Sequence, residues 1–432
     1  MFGYYIDLAL RSLKHNKVLT ALMILTLALG IGASITTLTV LKLLSGDPIP
    51  EKSERLFYPQ IDPNDLNGYV AGQTKPDGKM TYPDAMYLLH AHKATHQAVL
   101  AFMQARIAPQ HANEHPYYSD GVMTTSDFFT LFDVPFQYGS AWTAQDDEGH
   151  AQLVVIADFL NQKLFGGENS VGKTIRIDDH DYRIAGVLKP WAPQPRFYAQ
   201  EMGGRDDGDA VFLPLQTARS LDMSPGEIEC FADVSDLNHL ESEPCEWLAL
   251  WVELDDSAAV ASYKSFLDGY VQQQISIGRF KRPDTSLLDL MAFLQQEQVV
   301  PDDAKLQMYL ALGFLLICVV NTVGLLLAKC LRRSREIGVR RALGATRHAI
   351  FAQFMVEAGI VGLAGGMLGL LFTEVGLLGV RHQPAEYAKL AHLDVTMFLF
   401  TFVVALVAST IAGLLPAWRA CVVAPAPQLK DA

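Results

Sequence analysis

Four runs free of charged residues dominate the hydropathy pattern of this 432-residue chain. Lys17 and Lys42 bracket the first, Lys305 and Lys329 the second, Glu357 and Glu374 the third, and Asp394 and Arg419 the fourth. The first, second and fourth hold 23 or 24 uncharged residues, against the roughly 20 that a helix needs to cross a bilayer. The third reaches that length only if Glu357 and Glu374 sit near its two ends, each at a membrane interface. The pattern predicts four membrane-spanning helices rather than the buried helices of a large soluble protein. A different periodicity fills the chain between the first and second runs. Leu248, Leu250, Val252 and Leu254 alternate as in a strand, and AAVASYKSFLDGYVQQQI follows with helical spacing. TIRIDDHDYRIAGVL reads as a hairpin turning at Asp179 and His180, and Ser286 to Gln298 reads as a helix. The fold class expected is four transmembrane helices plus a large extracytoplasmic α/β domain.

Charge orients these elements. RRSREIGVRRALGATR, Arg332 to Arg347, packs six arginines and one acid into sixteen residues between the second and third runs. Basic residues in short loops beside spans mark the cytoplasmic side. Arg11, Lys14 and Lys17 precede the first run, and Arg419 and Lys430 follow the fourth. Both termini are therefore expected inside. The first run is about twice the length of a signal peptide's apolar core, and VLKLL at its end offers no small-residue cleavage site, so it reads as a retained anchor.

Residues 41–305 carry 20 of the 34 basic and 40 of the 47 acidic residues, a net charge of −20; the remainder is net +7. So acidic an exterior argues against nucleic acid as a partner. Its length suits two subdomains. Cys230 and Cys245 flank the acidic stretch FADVSDLNHLESEP and are candidates for a disulfide in an oxidising compartment.

Two motif matches fail on context. GENSVGKT, Gly167 to Thr174, fits the phosphate-loop pattern. That motif needs a strand before the loop and a helix beginning at its Lys-Thr end. Here a helical DFLNQKLF comes before and an alternating TIRI after, which makes a helix-to-strand turn. HANEH, His111 to His115, fits a zinc pattern that requires one helix face, yet Pro109 and Pro116 bracket it. His92 and His96 have helical ligand spacing without a third ligand and read as solvated helix residues. No nucleophile, base, metal or cofactor constellation remains, so the chain itself is not expected to be an enzyme. In the third run Gly362 and Gly366, and Gly365 and Gly369, form two overlapping small-residue pairs along one side, where another helix can approach closely.

SREIGVRRALGATRHAIFAQFMVEAGIVGLAGGMLG resembles the cytoplasmic hinge and third span of the FtsX/MacB-type ABC permeases. ALRSLKHNK resembles their N-terminal interfacial helix, and LLPAWRA their C-terminal end. MTYPDAMYLL, TTSDFFTLFDVPFQYGSAWTAQDD and VVIADFLNQKLFGGENSVGKTIRIDDHDYRIAGV resemble the MacB-like periplasmic core domain. The resemblance implies an interfacial helix at 1–17, spans at 18–41, 306–328, 350–380 and 395–415, and a periplasmic domain at 42–305. It also implies a coupling hinge at 329–349, a short periplasmic loop at 381–394 and a cytoplasmic tail at 416–432. Arg335, Glu336, Gly338, Arg340, Gly344 and Ala345 would lie in or beside the element that docks on an ATP-binding cassette subunit. No nucleotide-binding domain lies in this sequence, so ATP is expected on a separate ATPase and no cofactor on this chain. The other partners implied are a second permease, the same or different, a periplasmic adaptor, an outer-membrane channel and the lipid of the bacterial inner membrane. Two function classes follow: an export or efflux permease, with lipoprotein release as a variant, or a mechanotransmitter that switches a periplasmic enzyme or sensor.

Overall fold

The structure is a computed structural model describing residues 2–109, 115–200, 208–236, 239–300, 302–382 and 391–422. It divides into two compact units, Met1–Ser45 with Val300–Ala432, and Gly46–Val299.

The first unit is helical. A helix at Phe2–His15 precedes the first span, Lys17–Ser45. The second span is Asp302–Arg332, the hinge helix Ser334–Ala342, the third span Arg347–Arg381 and the fourth Val395–Val422. All four spans are long and apolar enough to cross a membrane. The third is 35 residues long and extends beyond both Glu357 and Glu374. The helix starts early because the Thr346 hydroxyl caps it, accepting the Ala349 amide at 3.2 Å. The first span is the most enclosed: half of its apolar window is buried, against 22% for the second span.

The second unit is built on a sheet whose twelve described strands are β1 (Leu56–Ile61), β2 (Met80–Thr81), β3 (His96–Ile107), β4 (Tyr117–Thr124), β5 (Phe136–Gly139), β6 (Leu153–Ile156), β7 (Thr174–Ile177), β8 (His180–Leu188), β9 (Val211–Pro214), β10 (Glu229–Cys230), β11 (Cys245–Glu253) and β12 (Thr285–Asp289). The order is β12-β1-β11-β3-β4-β9-β6-β8-β5, with β2 and β10 on β11, and β7 on both β3 and β8. One sheet runs through the whole unit. The parallel β4–β9 pair and the bridge from β7 to β3 join its halves.

Strand β11 explains why the alternation at 248–254 is embedded in an almost continuous apolar run. Leu248, Leu250 and Val252 enter one core with Tyr263 and Leu267 of the helix Ser257–Ser276. Ala249 and Trp251 enter the other, where Trp251 meets Phe132, Phe197 and Phe293 edge-on at 5.3–5.9 Å between ring centres. A strand covered on both faces needs apolar residues at successive positions.

Three local expectations shift. The β7–β8 turn lies at Asp178 and Asp179, both with positive φ, one residue earlier than the sequence suggests. Two left-handed residues in a two-residue turn match the strand twist, and Asp tolerates that conformation. Residues 285–289 form β12 instead of the first turns of a helix, because they pair antiparallel with β1. Asp289 then caps the short helix Leu290–Gln296 through the Ala292 amide at 2.8 Å. His96 opens β3 and meets Asp127 at 2.9 Å, and His92 has a positive φ beyond the helix Tyr82–His90.

Glu246 on β11 lies opposite Glu229 of β10 and is almost wholly buried. Burial, with Asp77, Asp62 and Glu229 adding repulsion, pushes its carboxyl from the ordinary 4.5 up to about 10. A carboxyl raised in the folded state contributes its full stability below the unfolded value and loses it as pH rises toward the folded value. Glu246→Gln removes this titration. The variant is expected to melt above the parent near about pH 8, with the gap closing as pH falls toward the unfolded carboxyl value. Thermal unfolding of the full chain in detergent across that range measures this; a gap independent of pH refutes it.

Candidate functional site

The hinge helix separates the second and third spans by only a few residues at each end. Ile337 holds it down, buried with Cys330 of the second span, Ile350 and Phe354 of the third and Ala417 of the fourth. Its end is closed by Gly344, whose φ of +100° suits glycine. The Ala345 amide donates to Arg340 O at 3.0 Å and the Gly344 amide to Arg341 O at 3.1 Å, the paired bonds of a Schellman stop. Val339 and Leu343 remain outside this packing; Leu343 is 84% exposed.

Polar contacts beneath the helix form a closed circuit. Glu357 of the third span is fully buried, and its Oε1 meets Lys329 Nζ of the second span at 2.5 Å. Ser12 of the N-terminal helix donates its hydroxyl to the same oxygen, and Arg333 donates to Ser12 Oγ and lies 3.9 Å from the carboxylate. Arg333 also grips both oxygens of Glu336 at 2.9 Å. Glu336 pairs with Arg340 at 2.6 Å, and Arg340 donates to Gln353 Oε1 at 3.1 Å. Gln353 and Glu357 are one turn apart on the third span, which closes the ring. Removing one partner of a buried ion pair costs roughly 3–5 kcal/mol, because the other charge stays buried without compensation.

Of the sequence-predicted hinge residues, Glu336 and Arg340 are in this ring. Gly338 is buried against the spans, Arg335 is exposed, and Gly344 and Ala345 make the helix stop. Glu336 spends its carboxylate on its own helix. Sequence reading missed Ser12, Lys329, Arg333, Gln353 and Glu357. Glu357, read from the sequence as an interfacial residue, is buried among the helices. The signal available was the i, i+4 spacing of Lys329 with Arg333, of Glu336 with Arg340, and of Gln353 with Glu357. Glu374 pairs with Arg381 at 2.6 Å.

Outside the membrane unit, Cys230 and Cys245 form a disulfide that fixes β10 to β11. GENSVGKT runs from Gly166, the left-handed cap of the helix Asp158–Phe165, into β7, so no helix starts at Lys173 and Thr174. His111 to Glu114 of HANEH lie outside the described residues. Among the described residues no group of three or more His, Cys, Asp and Glu side chains is arranged to hold a metal.

The MacB-like periplasmic core domain family matches residues 20–267, and the FtsX-like permease C-terminal family matches residues 308–425. This chain belongs to the FtsX-like permeases that carry a MacB-like core domain. The chain is 26% identical to a macrolide export ATP-binding/permease protein of Rhodospirillum rubrum, over 97% of its own length and 59% of that protein's. It is 24% identical to a pyoverdine export ATP-binding/permease protein of Pseudomonas fluorescens, over 99% of its length and 59% of that protein's. The chain thus spans less than two thirds of these relatives. Among solved structures, the periplasmic region of MacB from Actinobacillus actinomycetemcomitans aligns with 59% of this chain and 97% of that one, at 13% identity and a TM-score of 0.38.

The glycines of this permease's third span serve two neighbours, not the single side expected. A Cβ on Gly365 would lie 3.1 Å from Leu27, and one on Gly369 3.0 Å from Ile31, both on the first span. On Gly366 it would lie 2.8 Å from Ala405, and on Gly362 it would run into Ser409, both on the fourth span. The three-residue offset rotates one pair by about 60° from the other around the helix, and the first and fourth spans meet the two edges of that stripe. Gly359, by contrast, has nothing within 4 Å. Gly369→Leu and Gly365→Leu are expected to lower stability by about 1–3 kcal/mol each through overpacking, while Gly359→Leu leaves melting in detergent unchanged. Equal melting of all three variants would show that the first and third spans do not pack at these positions.

Proposed function

We propose that this chain is the permease subunit of an ABC transporter of the bacterial inner membrane, driving export by transmitted motion. A separate ATPase docks on the hinge and hydrolyses ATP. The chain pairs with a second permease, and its acidic exterior domain engages a periplasmic adaptor leading to an outer-membrane channel. Closure of the ATPase moves the hinge, and the spans pass that movement to the exterior domain.

The observation that carries this reading is the hinge itself. Its underside is tied to three spans through Ile337 and the polar ring, yet it presents Val339 and Leu343 uncovered within an arginine-rich segment. A short element bound to the bundle on one side and exposing apolar residues on the other suits a soluble protein that pushes on it. The matches to proteins named as ATP-binding/permease exporters support the same assignment.

Leu343→Asp and Val339→Asp test the docking. Both sites are exposed, so stability should change by no more than about 0.5 kcal/mol. A charge at the centre of the contact should weaken ATPase association by about tenfold or more, with a matching loss of permease-stimulated hydrolysis and of export. Parent-like association and export in both variants would remove the hinge as the docking element. Lys173→Ala provides the control: nucleotide crosslinking to the permease and transport-linked hydrolysis should not change, since GENSVGKT is a turn.

A further inference from the structure

We infer that Glu357 is a positioning residue that makes the hinge helix a rigid lever, by closing a polar ring through which the second span, the hinge and the third span move as one body. This rests on the coupling role proposed above, but the ring's own effect on the hinge can be read in the permease alone.

The geometry sets the hinge apart from an ordinary loop helix. Nine residues are too few for a helix to persist on its own in water. Its single buried apolar anchor, Ile337, is one point of attachment, and one point permits rocking. The ring supplies two more. Arg333, at the entry to the hinge, is held through Ser12 and Glu357; Arg340, near its exit, is held by Gln353. Glu336 ties the two arginines together between them. Both outer attachments end on the third span, one helical turn apart, so the hinge cannot tilt without breaking one. Lys329 brings the end of the second span to the same carboxylate. Ser12 brings in the N-terminal helix.

Glu357 is the member that cannot be replaced by water. It is fully buried, and Lys329 beside it is nearly so. A carboxylate in that position demands its cations. The demand pulls the end of the second span, the N-terminal helix and the hinge entry to one point on the third span. Stability alone would be met by an apolar pair of similar size, since well-packed replacements of buried ion pairs are often neutral or stabilising. What an apolar pair cannot do is hold Arg333, and through it Glu336 and Arg340, in one orientation.

That difference sets the experiment. Lys329→Met with Glu357→Leu, made together in the full chain in lipid nanodiscs without any ATPase, should melt close to the parent. Hydrogen exchange across 334–342, and trypsin cleavage at Arg335, Arg340 and Arg341, should both accelerate by about tenfold or more, because each follows the opening of the hinge. Exchange in the core of the first span should not change. Arg340→Leu with Gln353→Leu cuts the ring at its other attachment, and the same acceleration of exchange, and of cleavage at Arg335 and Arg341, is expected should the first pair fail to fold. Unchanged hinge protection in a folded variant of either pair overturns the inference, whatever its export activity. Loosened hinges in both, with docking at Leu343 intact and export lost, support it. Loosened hinges in variants whose ATPase never docked would leave the lever standing and remove the proposed function instead.

Discussion

A buried carboxylate is the constraint around which the membrane unit is organised. Glu357 is fully enclosed, and an isolated charge in such a place is too costly for the bundle to tolerate. Lys329 neutralises it, Ser12 donates to it and Arg333 stands close by. These partners come from two separate segments of chain, the N-terminal helix and the junction of the second span with the hinge, and meet on a third, the third span. Meeting the need of one side chain therefore specifies where three backbone elements must be, which apolar packing among lipid-like side chains would specify only loosely.

Close helix approach makes that meeting possible. Spans inside a bilayer gain little from burying apolar surface against one another, because the surrounding lipid is equally apolar. Contact then depends on shape. Gly365 and Gly369 admit Leu27 and Ile31 of the first span, and Gly362 and Gly366 admit Ser409 and Ala405 of the fourth. The first span returns the fit at Gly30, against Cys318 of the second span, and at Gly32, against Phe372 of the third. Small residues set the spacing of the helices, and the polar ring sets their register at one end.

The exterior unit follows the opposite logic. Its sheet is covered on both faces, with aromatic rings clustered around Trp251 on one side and aliphatic packing from Leu248 and Leu250 on the other. Here the hydrophobic effect operates in full, and polar residues are handled locally. The buried Arg196 pairs with Asp209, which also accepts from Tyr198 at 2.6 Å. Glu246 keeps its proton instead of finding a cation. The two units thus solve the same problem, a buried acid, in two ways: by pairing in the spans and by protonation in the sheet.

Much of this was determined by the sequence alone. Apolar run length defines four spans, because a bilayer has a fixed thickness, and the arginines at 332–347 define which loop is the hinge. The alternation at 248–254 defines a strand, and the order of helix and strand around GENSVGKT defines a helix-to-strand turn. Those properties are local, so a linear pattern carries them. What only the tertiary structure decided depends on partners distant in the chain. Residues 285–289 become a strand because β1 lies beside them. The glycine stripe splits in two because two different helices cross it. Glu357 stands alone in the sequence, and Ser12 and Lys329 are brought to it from 345 and 28 residues away. A charge shows its own cost in the sequence, but the groups that offset that cost are known only once the chain has folded around it.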